Sequence, residues 1–138
     1  MKNLWLLLIL ACTLTACSST NSTQLNESSL LGEWQLTYIL DGAVIEHSPA
    51  TIIFLKDNMI AGNASCNRMK ASYQLDSEKG SFSFGRNAST MMMCPPILMD
   101  QESKLLSAMA EVTHAYFKDE SLVLVNNKKR IVLQAIKK

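Results

Sequence analysis

Residues 51 to 84 read TIIFLKDNMIAGNASCNRMKASYQLDSEKGSFSF, and this stretch decides the fold class. It contains short apolar runs separated by polar residues, with turn signals at Asp57-Asn58 and Lys79-Gly80. Asp, Asn and Gly between short apolar runs are typical of turns that connect β-strands. The stretch therefore predicts four strands: Thr51 to Leu55, Met59 to Gly62, Ala71 to Leu75 and Ser81 to Phe84.

Strand patterns continue on both sides of this stretch. Upstream, Trp34, Leu36 and Tyr38 alternate with polar residues, which is typical of a half-buried strand. Downstream, three further strands are predicted, with the last two joined through Asn126-Asn127, since asparagine tolerates a positive φ. These three are His114 to Phe117, Ser121 to Val125 and Arg130 to Ile136.

One segment has the period of a helix instead. Apolar residues recur every three or four positions after Pro95-Pro96, and Gln101 and Glu102 fall on the polar side of the pattern. The segment predicts one amphipathic helix over about 97–112. The fold class is therefore mainly antiparallel β (α+β), as a strongly curved sheet or partly closed β-barrel with this helix against it.

The N-terminus predicts export. Residues 1–16 combine a short basic start with a leucine-rich run, which is typical of a signal peptide and too short to span a bilayer. The quartet Leu14-Thr15-Ala16-Cys17 resembles the bacterial lipobox, which implies that Cys17 is acylated and becomes the mature N-terminus. Because Ser18 rather than Asp follows, the resemblance implies the outer membrane, with the domain facing the periplasm. The alternative is an ordinary secretory signal that is cut at a neighbouring site.

Composition divides the rest of the chain. Residues 17–29 are rich in Ser, Thr and Asn and predict a flexible tether, followed by one domain over 30–138. Without residues 1–16 the chain has 12 Lys and Arg against 12 Asp and Glu. This balance excludes the basic face that nucleic-acid binding requires. The sequence also has no phosphate-binding glycine loop or paired metal motif, so no cofactor is predicted.

Cys66 and Cys94 are the cysteines left after Cys12 is removed with the signal and Cys17 is acylated. In an exported protein, an even pair predicts a structural disulfide. Two alternatives stay open: a redox-active pair, and a nucleophilic cysteine with His47 or His114 as its base. The first lacks the usual Cys-x-x-Cys spacing, and the second requires a free thiol.

Methionines are frequent, and three are consecutive at residues 91 to 93. Thioethers are soft ligands for Cu(I), so a copper site that uses Met91 and Met93 is one hypothesis. Consecutive residues of a strand point to opposite faces, so only these two would share a side. Packing or contact with a partner is the favoured interpretation.

The run Ile60 to Arg68, followed by Tyr73 and by Ser89 to Pro95, resembles the signature of the META domain found in HslJ-like heat-shock lipoproteins. The resemblance covers nearly all of residues 30 to 136. It implies a β-rich, barrel-like fold with one helix, a link to envelope stress, and no catalytic mechanism. That fold is similar to the fold of secretin-pilot lipoproteins, which bind a peptide or a lipid.

The signature residues Gly62, Asn63, Cys66, Asn67 and Arg68 predict a corner in the sheet. Gly62 would permit a bulge or a close backbone approach, and Asn63 and Asn67 would bond their own backbone and end the strand. The alternative is that Asn63, Asn67 and Arg68 converge as a polar recognition site.

Together these features predict a non-enzymatic lipoprotein of the outer membrane, anchored through Cys17. We expect it to contribute to envelope stress tolerance by binding a peptide, a lipid or an envelope protein. An exposed apolar groove beside the helix would support this function. The alternative function is copper binding at Met91 and Met93.

Overall fold

The computed structural model of the chain describes residues 24–138, which form ten strands and two helices. The predicted signal 1–16, Cys17 and the first part of the predicted tether lie outside the described residues. The elements are α1 (Glu27–Leu30), β1 (Gly32–Ile39), β2 (Gly42–Ala43), β3 (Thr51–Leu55), β4 (Met59–Asn63), β5 (Arg68–Asp76), β6 (Ser81–Phe84), β7 (Ala88–Ser89), α2 (Pro96–Glu111), β8 (His114–Lys118), β9 (Ser121–Val125) and β10 (Ile131–Lys137).

The strands form one closed antiparallel barrel. Eight of them follow the order β1-β3-β4-β5-β6-β8-β9-β10, and β10 pairs with β1 to close the ring. The short strands β2 and β7 lie outside this ring, where they pair with β1 and β5. The predicted curved sheet is confirmed, and its closure is complete because the last strand pairs with the first.

The ring has one narrow seam, between β6 and β8. These strands share a single residue pair, Ser81 with His114. Two backbone hydrogen bonds beside this pair, Phe82 N to Thr113 O at 2.9 Å and Ala115 N to Gly80 O at 3.0 Å, complete the contact. Helix α2 contacts β1, β6 and β10, so it covers the barrel beside this seam.

Aromatic side chains fill the barrel. The Tyr73 ring stacks on Phe82 at 5.6 Å between centroids, and Phe54 meets Tyr73 edge-on at 5.2 Å. All three are nearly inaccessible to solvent. They point inward because each occupies an alternate position of its strand, as the burial pattern of β5 shows. Burial of this aromatic surface supplies much of the energy that holds the barrel together.

The N-terminal boundary differs from the prediction. Residues 24–29 were predicted to belong to a flexible tether, but Leu25 and Leu30 are buried and α1 is closed by a capping box between Asn26 and Ser29. The Leu30 carbonyl also accepts a 2.7 Å hydrogen bond from the Trp34 indole. Residues 24–29 therefore pack with the domain, because two leucines offset the cost of ordering this segment.

Helix α2 begins and ends within one residue of its predicted bounds, 97–112. Leu105, Ala108 and Met109 turn into the barrel and are buried. In the described part of the chain, no helix is long and apolar enough to cross a membrane.

The Tyr73 hydroxyl is buried without a hydrogen-bond partner among the described protein atoms. Burial, and secondarily the Glu27 carboxylate, raise the pKa of this phenol above its ordinary value. We predict that Tyr73→Phe leaves the free energy of unfolding unchanged or raises it by up to about 1 kcal/mol, because no bond is lost. Tyr73→Ala should lower it by about 3–5 kcal/mol through loss of packing. Urea unfolding measures both, and a loss above about 1 kcal/mol in Tyr73→Phe would contradict the prediction.

Candidate functional site

The loop between β4 and β5 forms the predicted corner. A Cβ atom on Gly62 would lie 2.1 Å from the Thr51 carbonyl oxygen, so only glycine allows β3 and β4 to approach this closely. Asn63 accepts a 2.9 Å hydrogen bond from the Ser65 backbone N–H and ends β4. Gly62 thus permits a close backbone approach, and Asn63 bonds the backbone two residues further on.

Asn67 has a different role from the predicted one. Its side-chain oxygen accepts hydrogen bonds from the Met92 backbone N–H at 2.6 Å and from the Thr90 hydroxyl at 2.9 Å. The prediction that Asn67 bonds its own backbone is wrong, because its amide reaches the segment that follows β7. Asn67 thus holds residues 90–92 against the corner.

Glu102 joins helix α2 to the same corner. Its carboxylate accepts hydrogen bonds from the Asn67 backbone N–H at 2.7 Å, from the Asn67 side-chain amide at 2.9 Å and from the Cys66 N–H at 3.3 Å. Bonds to a charged acceptor are stronger than bonds between neutral groups. Glu102 therefore fixes the N-terminal half of α2 against the β4–β5 loop.

Gln101 makes a second link and is buried, although the sequence pattern placed it on the polar side. Its side-chain oxygen accepts from the Ile45 N–H at 2.7 Å, and its nitrogen donates to the Ser48 and Ser65 hydroxyls at 2.8 and 2.7 Å. The available signal was its position four residues before Leu105, which is the spacing of one helix face. A polar residue at such a position indicates a buried hydrogen-bonded link.

The disulfide between Cys66 and Cys94 is confirmed, with 5.8 Å between the Cα atoms. It engages both sulfurs, so neither is a free thiol in this structure and the nucleophilic alternative lacks its reacting group. His47 lies exposed beside Glu46, and His114 lies at the barrel seam with its ring 3.1 Å from the Thr113 hydroxyl. The bridge also ties residue 94 to the corner that Asn67 and Glu102 organise.

Met91 and Met93 project into solvent, with 97% and 91% of their surfaces exposed. They lie in the irregular segment between β7 and α2, so the strand geometry assumed for them is wrong. The packing interpretation is also wrong for these two side chains. Among residues 24–138, no group of three His, Cys, Asp or Glu side chains could hold a metal ion. Copper binding through the thioethers stays a prediction.

The predicted apolar groove beside the helix is not found in the part of the chain that the structure describes, because Leu105 and Ala108 are fully buried and the pockets that flank α2 are smaller and more polar, with volumes of about 290 and 330 Å³. An apolar groove of about 550 Å³ lies instead on the outer face of the barrel, across β3, β4, β5 and β7. It is lined by Thr51, Ile53, Ala61, Gly62, Asn63, Arg68, Met69, Lys70, Ala88, Ser89 and Thr90. We call this the outer groove.

Strand register explains the composition of the outer groove. Ile53 lies opposite Ala61, Ala61 opposite Lys70, and Lys70 opposite Ala88, so these four residues form one row across the sheet. Directly opposed residues share a face of the sheet. This row forms an apolar floor between β3 and β7, and the Lys70 side chain projects outward from the floor.

The signature residues separate into two groups. Gly62, Asn63 and Arg68 line the outer groove, whereas Cys66 and Asn67 are buried in the corner. The hypothesis that Asn63, Asn67 and Arg68 converge is therefore wrong for Asn67. Its contribution is structural, since it anchors the segment that continues from β7, one wall of the groove.

Removing the disulfide should cost much of the stability. We predict that Cys66→Ala combined with Cys94→Ala lowers the free energy of unfolding by about 3.6 kcal/mol, because the bridge closes a loop with a sequence separation of 28 residues. Urea unfolding measures the loss, and chemical reduction of the unaltered protein should reproduce it. Equal midpoints for the variant and the unaltered protein would refute the prediction.

The Glu102 link can be tested separately. Glu102→Ala should lower the free energy of unfolding by roughly 2–3 kcal/mol, because three N–H donors lose a charged acceptor. The matched control is Asp100→Ala, which breaks only the exposed ion pair with Lys104 and should cost less than about 1 kcal/mol. Similar losses in the two variants would show that Glu102 does not hold the helix.

Comparison with solved structures supports the architecture. An NMR structure of a protein aligns with a TM-score of 0.64 and 23% identity, over 81% of this chain and 94% of the other. An NMR structure of a protein from Burkholderia xenovorans aligns with a TM-score of 0.65 and 23% identity, over 81% and 86%. A crystal structure of a DUF4847 family protein from Bacteroides vulgatus aligns with a TM-score of 0.59 and 12% identity, over 79% and 94%.

At these identities the likeness shows a shared fold. No curated protein shows significant similarity to the chain. The sequence model of the META domain matches residues 24–138, which includes the corner, the outer groove and both helices. This match spans all the residues that the structure describes, and the chain belongs to the META domain family.

Proposed function

We propose that this protein is a lipoprotein of the outer membrane, whose META domain faces the periplasm and binds a ligand in the outer groove. In this way it contributes to envelope stress tolerance without catalysing a reaction. The observation that carries the proposal is the outer groove itself, an apolar groove with a volume of about 550 Å³ on the outside of a closed barrel. Ligand sites in proteins are typically apolar clefts of about 300–1,000 Å³.

Strand pairing and side-chain contacts hold the shape of the groove. Strands β3, β4 and β5 of its floor are each paired on both sides within the barrel. The segment that continues from β7 is held by Asn67 and by the disulfide to Cys66. A preformed site costs less ordering entropy on binding, so this construction favours recognition.

Two features support localisation to the periplasmic side of the outer membrane. The lipobox-like quartet that ends at Cys17 supports acylation. The disulfide supports an oxidising compartment, because such bonds persist outside the cytosol. A protein with two or three acyl chains is held stably at a membrane, which would keep the groove near envelope components.

Acylation is tested with a palmitate analogue in growing cells. Cys17→Ala should abolish the label and move the protein out of the outer-membrane fraction, because its thiol is the attachment point. Cys12→Ala is the matched control, since this cysteine lies within the predicted signal and should leave the label intact. Full labelling of Cys17→Ala would disprove the anchor.

The role of the groove is tested by complementation of a deletion strain under heat stress. Ala61→Trp fills the floor and should reduce survival toward the level of the deletion strain. Gln74→Trp is the control, because residue 74 is exposed on β5 outside the groove. Both variants should accumulate to the same level as the unaltered protein. Full complementation by Ala61→Trp would contradict the proposed function.

A further inference from the structure

Building on the proposed function, we infer that the outer groove binds a single-chain anionic lipid, with its acyl chain on the apolar floor and its carboxylate or phosphate head group between Arg68 and Lys70. The inference names the ligand class for the site and depends on the groove being a binding site at all. It rests on the position of these two cations beside an apolar surface.

The apolar part of the site extends beyond the groove floor. Next to the row that contains Ile53 and Ala61, the register places Leu55 opposite Met59. Their exposed fractions are 43% and 39%, which is high for large apolar side chains. Together these four side chains form a continuous apolar strip along β3 and β4. An acyl chain that lies on this strip would remove it from water, which favours binding.

The charged part lies along one side of this strip. Arg68 and Lys70 are two residues apart on β5, so both point outward from the barrel, and both are exposed. Within the described residues neither forms an ion pair with a carboxylate. The acidic residue in the same row of the sheet is Glu33, and Lys138 pairs with it at 2.8 Å. The groove therefore offers two positive charges to an anionic group.

An acyl chain fits the floor better than a peptide does. A peptide bound to a sheet usually gains affinity from main-chain hydrogen bonds to a free strand edge. Strands β3, β4 and β5 have no free edge along the groove, because each pairs with a neighbour on both sides. Among the described strands, β7 pairs with β5 only, but its two residues offer too short an edge for a bound peptide strand. An acyl chain needs no such bonds, so the apolar floor suits it.

The experiment uses the full acylated protein in isolated outer membranes. The probe is myristate that carries a photoreactive diazirine, applied below saturation, and labelled residues are mapped by mass spectrometry. We expect labels on β3 to β5, and labelling by the methyl ester of the probe at least about fivefold weaker, since the ester has no charge. If the site accepts a phosphate head group, a diazirine lysophosphatidic acid should compete with the carboxylate probe. If only unlabelled myristate competes, the site binds fatty acids.

The variants separate charge from fold. Arg68→Gln combined with Lys70→Gln should lower labelling by the carboxylate probe roughly tenfold and leave labelling by the ester unchanged. Lys128→Gln combined with Lys129→Gln makes the same charge change on the exposed turn before β10 and should leave both signals unaltered. Thermal unfolding of each variant confirms that the fold is intact.

Three results would overturn the inference. Equal labelling by the carboxylate and the ester would remove the role of the cations. Labels outside β3 to β5 would remove the site. Equal labelling by a two-chain diazirine phosphatidylglycerol would show that the strip rests on the membrane surface instead of holding one lipid. A failure of the proposed function would be seen in a different experiment. In that case Ala61→Trp would complement the deletion strain, whatever lipid is labelled.

Discussion

The single residue pair between Ser81 and His114 is the constraint on which the rest of the structure depends. This pair and two flanking backbone hydrogen bonds join β6 to β8, and the paired stretch extends no further. After Phe84 the chain leaves the ring of strands, pairs briefly with the edge of β5 as β7, and returns as helix α2. A segment with so little pairing of its own needs anchors, because irregular backbone carries a high ordering cost.

The anchors converge on the β4–β5 corner. Asn67 binds residues 90 and 92, the disulfide joins Cys66 to Cys94, and Glu102 binds α2 to the same loop. The corner thus fixes one wall of the outer groove and the position of the helix at once. Removing any one of these contacts should weaken the other two, since groups that share partners are energetically coupled.

The strands could be predicted from sequence because their alternation and turns are local signals. The hydrogen bonds of the corner could not be predicted, since the partners of a side chain such as Gln101 lie far away in the sequence. The last hairpin shows the same limit: the positive φ falls on Lys129 rather than on an asparagine, because Asn126 uses its side chain to accept from the Lys128 and Arg130 N–H groups. The site itself was missed for a related reason. Its floor joins residues from four strands, and only the register reveals that row.

The filling of the barrel determines where a ligand can bind. An eight-stranded barrel has an interior just wide enough for side chains or one small ligand. Here Phe54, Tyr73 and Phe82 occupy it, with rings 5.2 to 6.2 Å apart. Removing this packing to admit a ligand would cost several kcal/mol, which a domain of marginal stability does not have in reserve. A ligand therefore binds on the outer face of the barrel. There the small residues Gly62 and Ala61 leave space above the floor, and the outward-facing residues of β5 supply the charge.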